Sequence, residues 1–335
     1  MNEFIDAAEG LRKQHGEARG DFDLVFTAIG ELQAVHSKAR IENVDNMEYL
    51  FAAFEMAKLL GRLGEMSPED VQQLPDEMKR MIQQTLEMTI LFPIRDHSFI
   101  PPKPYDSFQH LIQKLVPQYG HDPRGDVSII TFNYDLCLDL ALPRIDYCLD
   151  NSTGGDVKLL KLHGSLNWGY CEGCGKIVAW DLDRFLGRRL LLDAETTSAP
   201  LRVASRMGEF KHCGSTHVQG PFIVPPTWNK MQHHGMLGMV WRTAASELAN
   251  AEDIFVCGYS LPDTDQFFRY LYALGSVGET RVKRFWVFDP EEKVADRFRE
   301  LLGPTVQNRF EFHKKKFSEA VNSLTDLLVG KHRAG

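Results

Sequence analysis

The 335-residue sequence holds no apolar run approaching the roughly 20 residues that a membrane span requires, and no repeat or low-complexity tract. Both absences point to an ordinary globular chain, as does a composition of 43% hydrophobic and 25% charged residues. Cysteine is sparse: of six, Cys137, Cys148 and Cys257 sit inside apolar segments, which excludes a disulfide framework and predicts reduced thiols. Basic residues are not in excess. A net charge of −8 argues against a broad, sequence-independent grip on nucleic acid, and the run Lys314 to Lys316 reads as a solvated strand end. The start, MNEFIDAAEGLRKQHG, is amphipathic and carries Glu3, Asp6 and Glu9, so it lacks the basic, then apolar, layout of a signal peptide. The expectation is a cytoplasmic protein with no membrane contact.

Up to about residue 120 the pattern is helical. Apolar residues recur three and four apart in DLVFTAIGELQAV and in MEYLFAAFEMAKLLGRL, where Met47, Leu50, Phe51 and Phe54 form a core stripe. Ser67-Pro68-Glu69 predicts a helix start with proline at its first position. Pro101, Pro102 and Pro104 predict a break before the helix DSFQHLIQKLV. Beyond Gly125 short, nearly continuous apolar runs appear, VSIITF, VKLLKL, DIFVCGY and RFWVFD, followed by RFEFHKK. They read as parallel strands and alternate with helical patterns. The fold class predicted is α/β, a doubly wound, mostly parallel Rossmann-like sheet, with an α-helical region at 1–120 packed on the α/β domain at 121–330. Residues 170–222 are rich in cysteine, glycine and charge and break the alternation, so they predict a small inserted lobe able to host a metal.

Ligands of open α/β sheets sit beyond the carboxyl ends of the strands, so the residues following each apolar run are the informative ones. In TFNYD, Asn133 is placed to present its carboxamide to a ligand, between Thr131 and Asp135; helix capping by Asn133 or Asp135 is the plainer alternative. In KLHGS, His163 is either a general base or a satisfied core histidine. In CGYSLPDTD, the small turn at Gly258, Tyr259 and Ser260 lets a ligand approach the backbone, with Asp263 or Thr264 capping the next helix. In FDP, Asp289 stands at a strand end where a carboxylate can accept from a ribose hydroxyl.

Taken in order, TFNYD, LHGSLNW, CxxC, FIVPPTWNK and GYSLPDTD resemble the sirtuin-like NAD-hydrolase domain of prokaryotic antiviral (anti-phage) defence proteins. The likeness is close over about residues 126–290, and NMEYLFAAFEMA is more loosely similar to that family's helical insertion. The resemblance implies cleavage of NAD to nicotinamide and ADP-ribose, with Asn133 and His163 as the catalytic pair. It implies that Tyr259 and Ser260 approach the adenosine ribose and that Asp289 lies near the adenine. It further implies NAD depletion during phage infection, a homo-oligomer and a defence-system partner protein. An NAD-dependent protein deacylase and a non-catalytic NAD or ADP-ribose-binding signalling module are the rival readings.

The sequence departs from that family in two places. The family opens with a strand and a GAGxS-type turn whose amides receive the NAD pyrophosphate at a helix N-terminus. Here Gly10, Gly16, Gly20 and Gly30 follow no apolar strand and form no G-x-G, so the phosphate cradle is expected upstream of Met1 or is missing. Cys171 and Cys174 form a CxxC knuckle, while a second pair is represented by Cys213 alone. His217, in Cys-x3-His spacing, is the expected fourth ligand of a structural zinc; His212 is the alternative, as the neighbour of another ligand. Trp168, Trp228, Trp241 and Trp286 read as packing residues, with Trp168 and Trp228 near enough to the family strings to border a pocket.

Overall fold

A computed structural model describes residues 2–14, 22–34, 46–116, 127–142, 144–150, 155–182, 196–214, 216–224, 231–262, 266–275 and 281–330. In chain order the helices are α1 (Asn2–Arg12), α2 (Asp23–Gln33), α3 (Met47–Leu60), α4 (Pro68–Thr89), α5 (Tyr105–Leu115), α6 (Cys137–Ala141), α7 (Met231–Asn250), α8 (Gln266–Gly275), α9 (Val294–Leu301), α10 (Pro304–Gln307) and α11 (Phe317–Leu328). The strands are β1 (Leu91–Arg95), β2 (Ser98–Phe99), β3 (Ser128–Thr131), β4 (Ile145–Asp146), β5 (Val157–Lys161), β6 (Gly164–Ser165), β7 (Trp168–Cys171), β8 (Lys176–Ala179), β9 (Ser198–Pro200), β10 (Lys211–His212), β11 (Thr216–Gln219), β12 (Phe222–Ile223), β13 (Asp253–Cys257), β14 (Arg284–Phe288) and β15 (Phe310–His313). These form two compact units, one of residues 1–97 and 163–235, the other of residues 98–162 and 236–335. The helical front part of the sequence therefore supplies α1–α4 to the first unit and α5 to the second.

In the first unit α1, α2 and α3 pack on α4. The apolar stripe of α3 is buried at Leu50, Phe51 and Phe54, and meets a core that includes Val25, Ile29, Leu74, Met78 and Met81. Helix α4 begins at the Ser67-Pro68 signal: the Ser67 hydroxyl accepts from the Asp70 amide at 3.1 Å, and Pro68 occupies the position that needs no N–H donor. Near its far end the buried carboxylate of Glu87 accepts from the Ala204 amide at 2.6 Å and from the Ser205 amide at 3.1 Å. One acidic side chain thereby satisfies the first amides of the 3-10 turn Ala204–Glu209 and ties the inserted segment to α4. The segment itself is an antiparallel sheet in the order β10-β11-β7-β8, packed around Cys171, Met207 and Val218.

The second unit carries the α/β architecture. Strands β13, β14 and β15 are parallel neighbours, as are β3, β5 and β4 in the order β3-β5-β4. Helices α5 and α11 lie on the first group through Leu111, Ala320, Leu324 and Phe288, and α5 reaches the second through Ile112 against Val157 and Leu159. Helix α7 is held to the second group by Glu247, which pairs with Lys158 at 2.6 Å and accepts from Ser128 at 2.5 Å. The parallel strands were expected as one sheet. Among the described residues they form two three-stranded groups with no ladder between β3 and β13, and β13 is half-buried along its whole length. No helix among the described residues is long and apolar enough to cross a membrane.

Candidate functional site

The parallel strands of the second unit bring their carboxyl ends, and the residues singled out in the sequence, to one edge of each group. At the end of β3 the Thr131 hydroxyl accepts from the Asn133 amide at 3.1 Å, closing a tight side-chain turn. Asp135 Oδ1 accepts from the Cys137 amide at 2.9 Å, a second side-chain turn just ahead of α6. Leu136, the N-cap residue of α6, makes no side-chain cap bond, and the exposed Asn133 carboxamide has no partner among the described residues.

Behind this turn lies a charged network that the sequence did not signal. Lys161, the last residue of β5, is buried with Nζ 2.6 Å from Asp139 Oδ2 and 2.6 Å from the Asp135 carbonyl oxygen. The Tyr147 hydroxyl donates to Asp139 Oδ1 at 2.6 Å. Alternation along VKLLK turns Lys158 toward Glu247 and Lys161 inward.

His163 is 4% exposed, and its carbonyl accepts from the Val224 amide at 2.8 Å. The next residue, Gly164, has φ +86, and a Cβ there would stand 2.1 Å from the Phe222 carbonyl oxygen, so β6 and β12 approach as they do only with glycine. The rest of LHGSLNW is structural. Ser165 and Asn167 are fully buried and hydrogen-bonded to each other at 2.7 Å, Asn167 reaches the Trp180 carbonyl at 3.2 Å, and Trp168 is fully buried. Trp168 is a packing residue, Trp241 donates to the Leu162 carbonyl at 3.1 Å, and Trp228 lies outside the described residues.

After β13, Gly258 has φ +68 with open space around its Cα, so the backbone conformation alone favours glycine there. Tyr259 stacks on Phe132, and the Ser260 carbonyl accepts from Arg297 at 3.0 Å. Asp263 and Thr264 lie outside the described residues. After β14 the buried Asp289 accepts at Oδ1 from the Glu291 amide at 2.8 Å, making an acidic turn at the strand end.

The inserted lobe gathers Cys171, Cys174, His212 and Cys213, whose ligand atoms all lie within 4.8 Å of one another. Cys174 Sγ is 3.6 Å and Cys213 Sγ 3.4 Å from His212 Nδ1. A tetrahedral zinc with ordinary Zn–S and Zn–N bonds requires S···N separations of about 3.5 Å, so the donor set fits that ion. The fourth ligand expected from the sequence, His217, is corrected to His212. In the β10–β11 hairpin Lys211 faces His217 and His212 faces Thr216, so the two histidines project from opposite faces. His217 Nδ1 instead lies 2.6 Å from the Gly208 carbonyl. Neighbouring ligands are accommodated because Cys213 adopts φ 48, which turns its side chain back toward His212. Burial works against the Cys174 thiolate, but hydrogen bonds from Cys213, the Lys176 amide and Cys171 outweigh it and hold the thiol below its ordinary pKa.

No family model matches the chain, and no curated protein does. Solved structures similar to it include a mutant Sir2 homologue in complex with ADP-ribose, at 16% identity and TM-score 0.42 over 80% of each chain. A Sir2 homolog–NAD complex matches at 14% identity and TM-score 0.40, over 96% of this chain and 99% of that one. A Sir2 protein bound to a propionylated peptide matches at 14% identity and TM-score 0.37, over 77% and 81%. The α/β assignment rests on the parallel ladders and the helices that cover them.

Proposed function

We propose that the protein is an NAD glycohydrolase, with Asn133 and His163 as its catalytic residues. The observation that carries this reading is their placement: Thr131 and Lys161 are register partners at the ends of β3 and β5, and each catalytic candidate stands two residues beyond its strand. That is where an open α/β sheet receives a nucleotide. Cleavage breaks the bond between ribose C1′ and the nicotinamide nitrogen, which leaves with the bonding pair as neutral nicotinamide. Water adds to the oxocarbenium-like carbon, and its proton passes to a base. In this reading the Asn133 carboxamide orients the ribose or the incoming water, and neutral His163 takes the proton. Tyr259, Ser260 and Asp289 line the adenosine side, and Thr131 and Asp135 shape the turn around Asn133. A zinc held by Cys171, Cys174, His212 and Cys213 is structural and takes no part in the step.

The resemblance of the ordered strings to anti-phage defence proteins extends the proposal to NAD depletion during infection, in the cytoplasm, by a homo-oligomer working with a defence-system partner. The test is release of nicotinamide and ADP-ribose from NAD by purified protein, beside Asn133→Ala and His163→Ala. Turnover that disappears in both variants supports the assignment. Turnover that survives in both removes the two residues from the chemistry. Binding of NAD or ADP-ribose without turnover under any condition replaces the hydrolase with a binding module.

A further inference from the structure

We infer that Lys161 and Asp139 are positioning residues that hold the turn bearing Asn133 in the geometry NAD cleavage requires, an inference that rests on the hydrolase reading above. Lys161 Nζ spans two elements at once, 2.6 Å from the Asp139 carboxylate in α6 and 2.6 Å from the Asp135 carbonyl in the turn. Its own backbone is the register partner of Thr131, where the turn begins. The loop from Thr131 to Asp139 is thus fixed at its start by the ladder, at Asp135 by the ammonium, and at its end by the ion pair. Tyr147, just beyond β4, orients the Asp139 carboxylate from the other side. The side chains of Lys161 and Asp139 are 1% and 0% exposed, so the ion pair is shielded from solvent.

Stability alone does not account for the pair. Apolar side chains of the same volume in place of a buried ion pair are generally as stable or more so. What the ammonium does, and a methionine does not, is hold the Asp135 carbonyl two residues from Asn133. The group so held is a positioned amide, for which small misplacements are costly.

The experiment compares wild type with the double variant Lys161→Met/Asp139→Leu, which keeps the volume and removes both charges together. Two quantities are read: amide exchange at Cys137, whose N–H is bonded to Asp135, and kcat and KM for NAD. The expected result is a cooperatively folded protein in which Cys137 exchange rises by about tenfold or more while the β5 amides keep their protection. Its kcat falls by about a hundredfold with KM within about threefold. Lys161→Arg, which retains a cation able to reach the Asp135 carbonyl, recovers part of kcat. A folded double variant with unchanged exchange and unchanged kcat overturns the positioning role. Should the double variant not fold, Tyr147→Phe removes only the hydroxyl that orients Asp139, and a kcat equal to wild type there overturns it equally. Wild-type protein that does not cleave NAD sinks the hydrolase reading instead, and the exchange at Cys137 still decides whether the pair holds the turn.

Discussion

The ring of Phe132 lies stacked on that of Tyr259, centroids 4.3 Å apart and planes inclined by 14°. Phe268 meets both edge-on, at 5.4 Å and 5.2 Å. The two stacked residues follow β3 and β13, which share no ladder among the described residues, so the rings tie together strand ends that backbone hydrogen bonds do not join.

That arrangement predicts an energetic coupling between the two rings. Offset aromatic pairs contribute about 0.5–1.5 kcal/mol beyond the apolar area they bury. A double-mutant cycle of Phe132→Leu and Tyr259→Leu, followed by urea unfolding, is expected to return a coupling of about that size. A coupling of zero would mean that the stack is incidental packing.

The cysteine cluster predicts one zinc per chain, retained on gel filtration. His212→Ala is expected to lose most of the metal, whereas His217→Ala keeps it, because only His212 shares a face with the cysteines. Metal content measured on the two variants separates the ligand sets directly. Loss of zinc in His217→Ala with retention in His212→Ala would reverse the assignment.

Removing the metal should also reveal an order of thiol reactivity. Cys174 has a pKa held below the ordinary thiol value, while burial pushes Cys257 up to about 12 and raises Cys137 as well, beside Asp135. Brief alkylation near pH 7.5, about one unit below an ordinary thiol, is expected to label Cys174 first in chelator-treated protein. Mass spectrometry finding Cys257 or Cys137 labelled ahead of it would contradict this ordering.

Apolar runs were enough to read β5, β13, β14 and β15 and their parallel arrangement, because such strands are recognised by local composition and by the helices between them. The start of α4 was legible for the same local reason, a serine cap followed by proline. What depends on facing was not legible. His212 and His217 differ only in which side of a two-residue ladder they occupy, and that register is set by the turn at Cys213 and Gly214. Lys161 gave no signal because its partner, Asp139, belongs to a different element and meets it only when α6 folds back over β5. Glu87 gave no signal either, since its two amides come from a segment more than a hundred residues away.

Glu87 carries the clearest dependence on pH. Burial raises its pKa above the ordinary 4.5, and the hydrogen bonds from Ser205 and Ala204 offset this only in part. The folded protein therefore keeps a proton that the unfolded chain releases. The contribution of this group to stability is fully present below pH 4.5 and is lost as pH rises through the elevated folded value. Glu87→Gln retains an oxygen for both amides without the buried charge, so it should be nearly neutral in acid and stabilising at pH 7. Glu87→Ala, which leaves the Ala204 and Ser205 amides without their acceptor, should destabilise by about 1–3 kcal/mol at either pH. Urea unfolding of the three proteins at about pH 4 and pH 7 reads the difference. If Glu87→Gln has the same effect at both, Glu87 has the same pKa folded and unfolded, and its bonds to the two amides fully offset the cost of burying the charge.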